Sequence, residues 1–437
     1  MWNMLLSAPV LVKVFVALAL ILIVNRACGQ LVVSLAVGAL VLAVWSGHPA
    51  AAMGRIVWAS VWSPDNALLL VVVYQVIALS SQMSASGVMG DLLDSVRGLV
   101  SRRAAMAVLP ALIGLLPMPG GAIFSAPLVE SCDAEGALPA RTKALANHWF
   151  RHIWEYWWPL YPGVLLAMQI TKLEVWQFMV LGVPLTLCAV AAGWLFLLRR
   201  IPAEAGPAPA PGARRAHRTL SAMLPILVVI GCYGVVRLAH AGLSSVRPGL
   251  PAMNRYLPML LGLCGAMAVL QVQRPIRSAQ WRDVLLSRQA GKMVLLVMVV
   301  RIYGAFIEAT LPDGRTLVAH MHAEMADSGI PVPAIVMLLP LVSGLATGLA
   351  IGFVGASFPI VMSLIGEDPS AATRMAATAL AYGFGHVGQL LSPVHVCLVV
   401  TSEYFRTSVF ANAAGLLRLA AVVLAGSLGM YVLLNVF

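Results

Sequence analysis

Long runs of apolar residues, separated by short intervals that hold most of the charges, restrict this chain more than any other sequence feature. Hydrophobic residues make up 60% of its 437 residues and charged residues only 10%, whereas a soluble protein carries about 25% charged residues. A helix needs about 20 apolar residues to cross a bilayer core of about 30 Å. The pattern predicts an all-α polytopic membrane protein with about ten transmembrane helices, near residues 5–25, 31–46, 66–87, 142–170, 174–197, 219–240, 253–272, 289–309, 372–400 and 406–435.

The distribution of charged residues predicts the orientation of these spans. If the N-terminus lies outside, the inner loops collect most of the basic residues, including Arg214 and Arg215, and the outer loops collect acids such as Asp65, Glu367 and Asp368. Lys and Arg accumulate in cytoplasmic loops, so the net charge of +11 is explained by topology rather than by a nucleic-acid partner. We expect a multi-pass protein of the cell inner membrane with both termini outside.

A linker rich in Pro, Ala and Arg, residues 202–218, divides the chain into halves at 1–201 and 219–437. An internal repeat at an offset of 234 residues supports this division. Gly121-Ala-Ile-Phe falls on Gly355-Ala-Ser-Phe, and His152-x-x-Glu155-x-x-x-Pro159 falls on His386-x-x-Gln389-x-x-x-Pro393. Because each half has an odd number of five spans, the second copy must be inserted upside down, as in the inverted repeats of many secondary transporters.

Two Gly- and Pro-rich segments, 104–129 and 331–364, are predicted to be re-entrant helical hairpins. Continuous helices do not tolerate such Pro and Gly runs, and a break that faced lipid would leave backbone groups unpaired. The hairpin tips would meet near the midplane and present helix ends to an anion or a cation. The alternative is that the glycines only permit close helix packing. Candidate tip residues are Pro119, Gly120, Gly121, Ser125, Thr347, Gly348, Gly355 and Ser357.

The segment after each hairpin, 142–170 or 372–400, is predicted to be a broken helix that carries ionisable side chains. In the first half Arg151, His152 and Glu155 fall close together. Glu155 could carry a proton, and Arg151 or His152 could face a substrate carboxylate or phosphate; ionisable residues at this depth usually line a pathway. The alternative is a structural ion pair between Arg151 and Glu155 at i,i+4. In the second half the corresponding residues are His386 and the neutral Gln389.

Other polar residues are weaker candidates. Arg301, within the span 289–309, could face a substrate or pair with Glu308. A loop cluster lacks a recognisable metal-ligand spacing: His320, His322, Glu324 and Asp327. No catalytic residue, metal site or cofactor is predicted, and the expected coupling ion is H⁺ or Na⁺.

Four stretches of the sequence resemble a known family: LLPMPGGAIFSAP, HWFRHIWEYWWPLYPG, FVGASFPI and LLSPVHVCLVVTSEYF. They look like the prokaryotic integral-membrane family called domain of unknown function 401, which is grouped within the ion transporter superfamily. The resemblance implies two inverted five-helix repeats with re-entrant hairpins, a scaffold domain that often dimerises, and a transport domain that moves like an elevator. This chain lacks the Ser-Asn-Thr hairpin tips of the divalent-anion branch, which puts a sodium/dicarboxylate assignment in doubt.

Two classes of function follow from these features. The first is a secondary active transporter of a small organic anion, coupled to protons or sodium, with an elevator mechanism. The second is a cation/proton antiporter, although such proteins usually carry paired buried carboxylates and Glu155 stands nearly alone. A membrane-embedded enzyme or a lipid transporter would need a nucleophile or a metal site that faces one membrane interface, and none is predicted. The expected partners are a small anionic solute, the lipid bilayer and a second copy of the chain, with no nucleic acid.

Overall fold

The chain folds into α-helices throughout the residues that the structure, a computed structural model, describes: 8–97, 100–115, 121–133, 136–201, 213–247, 249–311, 314–366 and 368–436. Extended pairing within these ranges is limited to an isolated bridge between Thr310 and Thr316. Seven helical segments of the described chain are long and apolar enough to cross a membrane. Other apolar helices are shorter, among them two that were predicted as full spans, Leu31–Trp45 and Leu257–Gln273.

The first half contains ten of the described helices. They are α1 (Val10–Cys28), α2 (Leu31–Trp45), α3 (Ala50–Val61), α4 (Pro64–Ala85), α5 (Val88–Arg97), α6 (Arg102–Gly114), α7 (Ala122–Ser131), α8 (Ala140–Arg151), α9 (Pro162–Thr171) and α10 (Val175–Phe196). A short 3₁₀ turn, Leu198–Arg200, follows. The predicted hairpin 104–129 thus corresponds to α6 and α7, and the predicted broken helix 142–170 to α8 and α9.

The second half contains ten further helices in the described residues. They are α11 (Ala213–Val246), α12 (Leu257–Gln273), α13 (Ser278–Leu285), α14 (Arg288–Ile307), α15 (Leu317–Ser328), α16 (Val332–Thr347), α17 (Ala350–Leu364), α18 (Ala371–Leu391), α19 (Val396–Tyr404) and α20 (Val409–Val436). The segment predicted as hairpin 331–364 corresponds to α16 and α17, and 372–400 to α18 and α19. Helix α11 begins inside the predicted linker 202–218, whose first residues, 202–212, lie outside the described part of the chain.

Local signals in the sequence explain where several helices begin and end. The Ser63 hydroxyl accepts a hydrogen bond from the first turn of α4, which also starts with Pro64, and Ser370 caps α18 in the same way. Such caps satisfy backbone N–H groups that have no partner within the helix. Gly29 after α1 and Gly348 after α16 adopt the left-handed conformation, which closes a helix at little cost only for glycine.

The two halves pack against each other reciprocally. Helix α9 packs on α17 and α19 on α7; α10 packs on α18 and α20 on α8; α4 packs on α12 and α14 on α2. In each of these three pairs of contacts, the second contact is made by the corresponding helices with the first and second halves interchanged. The helix starts agree with the sequence offset, since Val396 lies 234 residues after Pro162 and Val409 lies 234 residues after Val175. Each hairpin is thus covered by the broken segment of the other half.

Candidate functional site

Residues from the two broken segments meet at a half-open cavity of about 140 Å³. Residues at the breaks between α8 and α9 and between α18 and α19 line it, together with Leu349 and Ala350 at the start of α17. The lining also includes Ile77 of α4 and Gln289, Met293 and Leu296 of α14. Six side chains supply most of its ionisable and polar groups: Arg151, His152, Glu155, Gln389, His395 and Cys397.

Prolines explain why the chain leaves helical geometry on both sides of this cavity. In the first half α8 ends at Arg151, and the chain passes through turns until Pro162 starts α9; Pro159 in this stretch has no N–H to donate and disfavours helical geometry in the residue before it. In the second half α18 ends at Leu391, two residues before Pro393. At each break, backbone and side-chain groups point in directions that they would not take in an uninterrupted helix.

Glu155 lies between residues that the internal repeat relates to each other. The Gln389 Nε2 donates a hydrogen bond to Glu155 Oε2 at 2.9 Å, across a sequence separation of 234 residues. The His152 Nε2 lies 3.8 Å from Oε1, and the His386 Nδ1 lies 3.9 Å from Oε2. The Tyr382 hydroxyl donates to the Glu155 backbone carbonyl at 2.8 Å. The carboxylate therefore sits where corresponding positions of the two halves meet.

The Arg151 guanidinium is buried beside the first hairpin. Its Nη1 lies 3.1 Å from Cys397 Sγ and 3.4 Å from His152 Nε2. A Cβ atom added at Gly121 would lie 2.3 Å from Arg151 Nη2, and one added at Gly114 would lie 2.0 Å from the Arg151 carbonyl oxygen. The two glycines thus allow the hairpin to approach Arg151 closely. Because α8 ends at Arg151 and turns follow it, Arg151 and Glu155 do not share the continuous helix on which the alternative of an i,i+4 ion pair depended.

The turn of the second hairpin is tied to the break in its own half. Gly348 has φ +63°, and its carbonyl oxygen accepts a hydrogen bond from His395 Nδ1 at 2.5 Å. The adjacent Thr347 hydroxyl donates to the Ser343 carbonyl at 2.7 Å, so it closes its own helix rather than facing the cavity. The turn therefore positions His395, while the following residues Leu349 and Ala350 line the cavity.

Several predicted tip residues lie away from the cavity. Gly355 and Ser357 are inside α17 rather than at the turn: Gly355 packs on Val300, and the Ser357 hydroxyl donates to its own helix. The prediction that they sit at the tip is wrong because the helix already begins at residue 350. Ser125 likewise hydrogen-bonds within α7. Pro119 and Gly120 lie outside the described residues, so their predicted role stays a prediction.

His386 lies behind the cavity rather than in its lining. Its ring packs edge-on against Tyr156, with centroids 4.4 Å apart, and stacks near Tyr382 at 6.4 Å. His386 and Gln389 therefore both reach Glu155, but only Gln389 also faces the cavity.

Sequence reasoning missed three further candidate side chains of this region: His148, His395 and Cys397. His148 carried a signal, because it precedes His152 by four residues and so shares a helix face with it. His395 and Cys397 carried none, because their proximity to Arg151 and His152 is purely tertiary. Among the residues that the structure describes, one group of side chains could hold a metal ion: His148, His152 and His395.

Arg301, the weaker cationic candidate, lies at a different place. It lines a separate cavity of about 390 Å³ together with Asp65, Lys172, Arg255 and Glu308. Arg301 and Glu308 do share this cavity, as their spacing suggested, but neither lines the cavity at the broken segments.

Comparison with known proteins identifies a family and similar solved structures. The model of a family described as "Protein of unknown function (DUF401)" matches residues 9–245 and 252–436. No curated protein matches the chain. Among solved structures, the YdaH transporter of Alcanivorax borkumensis is similar at 14% sequence identity and a TM-score of 0.49, over 84% of this chain and 84% of that chain.

Proposed function

We propose a function for this chain on the premise that it belongs to the family of unknown function DUF401, whose model matches nearly its whole length. The function is secondary active transport of a small organic anion, coupled to protons or sodium, by an elevator-type alternating-access mechanism in the inner membrane. One observation carries the proposal: buried ionisable groups from both broken segments line a single cavity. Such groups are costly inside a membrane protein and usually mark a transport pathway.

Arg151 is the proposed anion-binding group. The side chain is only 3% exposed and lines the cavity. A guanidinium presents several donors in a planar fork that matches a carboxylate or phosphate group. The cavity volume of about 140 Å³ favours a small solute over a lipid. The residues His152 and Gln389 offer additional polar contacts on the same wall.

Glu155 is the proposed site of the coupling cation. Among the described residues that line the cavity it is the only carboxylate. The Gln389 side chain donates to it through Nε2, while Gln389 Oε1 is buried without a hydrogen-bond partner in the described structure. A carboxylate and an amide oxygen are the hard ligands that Na⁺-type cations take, and the carboxylate alone could take a proton. Both coupling ions therefore stay within the proposal.

The elevator mechanism is proposed from the composition of the cavity walls. Most of the cavity's polar lining residues belong to the broken segments, whereas its lining residues on α4 and α14 are mostly apolar. Few hydrogen bonds would be broken if the broken segments slid along α4 and α14. The reciprocal packing of the halves is what two inverted copies of one fold would give, and it supports alternating exposure of one central site.

Reconstituted protein in proteoliposomes tests the proposal. Thermal-shift screening against carboxylates, phosphates and sugar acids identifies a binding anion, whose uptake is then measured under proton or sodium gradients. Arg151→Gln should abolish binding. Glu155→Gln should abolish gradient-driven uptake and leave counterflow exchange intact. Arg301→Gln, in the separate cavity, is the matched control and should leave binding unchanged; loss in this variant alone would place the site elsewhere.

A cation/proton antiporter is the second candidate, because Glu155 with Gln389 could serve a cation without any anion. An antiporter would exchange sodium for protons in anion-free vesicles, as a pH-sensitive dye would report. Exchange of this kind, together with no anion hit in the screen, would favour the antiporter over the anion carrier.

A further inference from the structure

Three histidine side chains meet in and behind the cavity wall, and we infer that they form a binding site for a divalent transition-metal ion of the Zn²⁺ class. His148 belongs to α8 and His152 follows its last residue, while His395 precedes α19 in the other half. Their ring centroids are 4.7, 5.3 and 4.9 Å apart. One ring nitrogen from each lies within 4.8 Å of the other two, and all three side chains are buried.

Backbone carbonyls determine which nitrogen of each ring carries a proton. A carbonyl oxygen only accepts hydrogen bonds, so the ring nitrogen that faces it must be the N–H. His148 Nε2 faces the Leu390 carbonyl at 3.0 Å, His152 Nδ1 faces the His148 carbonyl at 2.6 Å, and His395 Nδ1 faces the Gly348 carbonyl at 2.5 Å. In the neutral rings the remaining nitrogens therefore carry lone pairs: His148 Nδ1, His152 Nε2 and His395 Nε2.

A shared cation would satisfy these three lone pairs together, although Arg151 Nη1 already lies 3.4 Å from the one on His152. His152 Nε2 and His395 Nε2 lie 3.0 Å apart, and two lone pairs at that distance repel unless a cation lies between them. His148 Nδ1 is buried without a hydrogen-bond partner in the described structure. One proton could join two of the nitrogens but would leave the third unsatisfied. A metal ion accepts all three, which favours the metal over the proton.

The geometry is close to that of a three-histidine metal site. With metal–nitrogen bonds of about 2.0–2.1 Å and tetrahedral angles, two ligand nitrogens are about 3.3 Å apart, near the 3.0 Å between His152 and His395. One ring nitrogen of His148 lies within 4.8 Å of one on each of the other two rings, so the His148 ring would have to move closer to bind the same ion. The carbonyl bonded to each opposite ring nitrogen is the second-shell arrangement that orients metal-bound histidines. A metal ion on His152 Nε2 would replace the 3.4 Å contact between this nitrogen and Arg151 Nη1. Arg151 Nη1 would keep its contact with Cys397 Sγ at 3.1 Å.

The ligand set also indicates the class of metal and its open position. Neutral imidazoles suit Zn²⁺, Co²⁺, Ni²⁺ and Cu²⁺ rather than Na⁺ or Mg²⁺, which prefer oxygen ligands. His152 and His395 line the cavity whereas His148 does not, so the fourth coordination position would face the cavity. A bound metal would join the broken segments of the two halves and add positive charge beside Arg151. The inference concerns the same cavity as the proposed transport but does not require transport.

Metal titration of the full-length protein, purified without a polyhistidine tag, tests the site. Co²⁺ gives a visible spectrum, and Zn²⁺ is titrated in competition with a chelator. We expect one equivalent per chain, a tetrahedral Co²⁺ spectrum, and X-ray absorption from bound Zn²⁺ showing three nitrogen ligands at about 2.0–2.1 Å. His148→Gln and His395→Gln should each weaken binding by about 100-fold or more, because the loss of a ligand exceeds the 10–100-fold effect of a second-shell change.

His240→Gln is the matched control, because His240 is near the end of α11 and contacts the Pro251 carbonyl on the exposed surface. It should bind metal like the unmodified protein. Unmodified protein that binds less than one equivalent, or glutamine variants that bind as tightly as the control, would overturn the site. If the variants fail to fold, stoichiometry and ligand type in the unmodified protein still decide. Anion transport without metal binding would refute only this inference, whereas metal binding without transport would refute only the proposed function.

Discussion

Adding a single methyl group at Gly121 should weaken anion binding while leaving the fold intact. The backbone angles there, φ −55° and ψ −13°, are open to alanine, so Gly121→Ala introduces no backbone strain. The new Cβ would lie 2.3 Å from Arg151 Nη2, whereas ordinary contacts begin at 3.4 Å. The guanidinium must therefore retreat by about 1 Å. It can do so because it is the far end of a flexible side chain.

The displacement has a predictable magnitude. Hydrogen bonds weaken steeply once their geometry is lost, and a bond to a charged group contributes about 1.5–3 kcal/mol. At about 1.4 kcal/mol per tenfold change in affinity, Gly121→Ala should weaken binding of the identified anion by about 10- to 100-fold. Isothermal titration calorimetry measures the affinity, and thermal unfolding in detergent checks the fold.

A matched control and a double variant complete this experiment. Gly231→Ala in α11 adds a methyl group with no atom within 4 Å and should leave affinity and unfolding temperature unchanged. Because Gly121→Ala acts through Arg151, combining it with Arg151→Gln should lower affinity no further than Arg151→Gln alone. Unchanged affinity in a folded Gly121→Ala protein, or additive losses in the double variant, would refute the reasoning.

Three further predictions concern stability. Gly355→Ala places a Cβ 2.5 Å from Val300 Cγ2; overpacking should cost about 1–3 kcal/mol, lowering the unfolding temperature while anion affinity per folded protein stays unchanged. Gly348→Ala forces a side chain into φ +63° and should destabilise the protein by at least about 1–2 kcal/mol in denaturant or thermal unfolding. Burial alone would raise the pKa of Asp133, but a backbone N–H bond and Lys143 outweigh it and hold the pKa below its ordinary value. A carboxyl group whose pKa is lower in the folded state stabilises the protein at pH values above its unfolded-state pKa, and this stabilisation is lost as the pH falls through its folded-state pKa. The unfolding temperature should therefore decrease when the pH is lowered below about 4. Asp133→Asn should make the unfolding temperature less dependent on pH in this range.

The family and the helical class could be predicted from the sequence. Apolar runs of membrane-spanning length leave few alternatives to helices, and four motif stretches identified the family that the family model confirms. The positions of Arg151, His152 and Glu155 near a break were also readable, because Pro159 and Pro162 act on their own neighbours. What failed was the detail at the breaks: Gly355 and Ser357 are helical rather than at the tip.

The composition of the site was decided by tertiary structure. His395 and Cys397 meet His152 and Arg151 across more than 240 residues, and no spacing along the chain encodes that contact. Hydropathy and proline act over a few residues, so the sequence by itself determined where helices form and break. Which broken ends meet depends on how the two halves pack their apolar faces together. Only that packing placed two histidines, one arginine and one carboxylate at the same cavity, with a third histidine behind its lining.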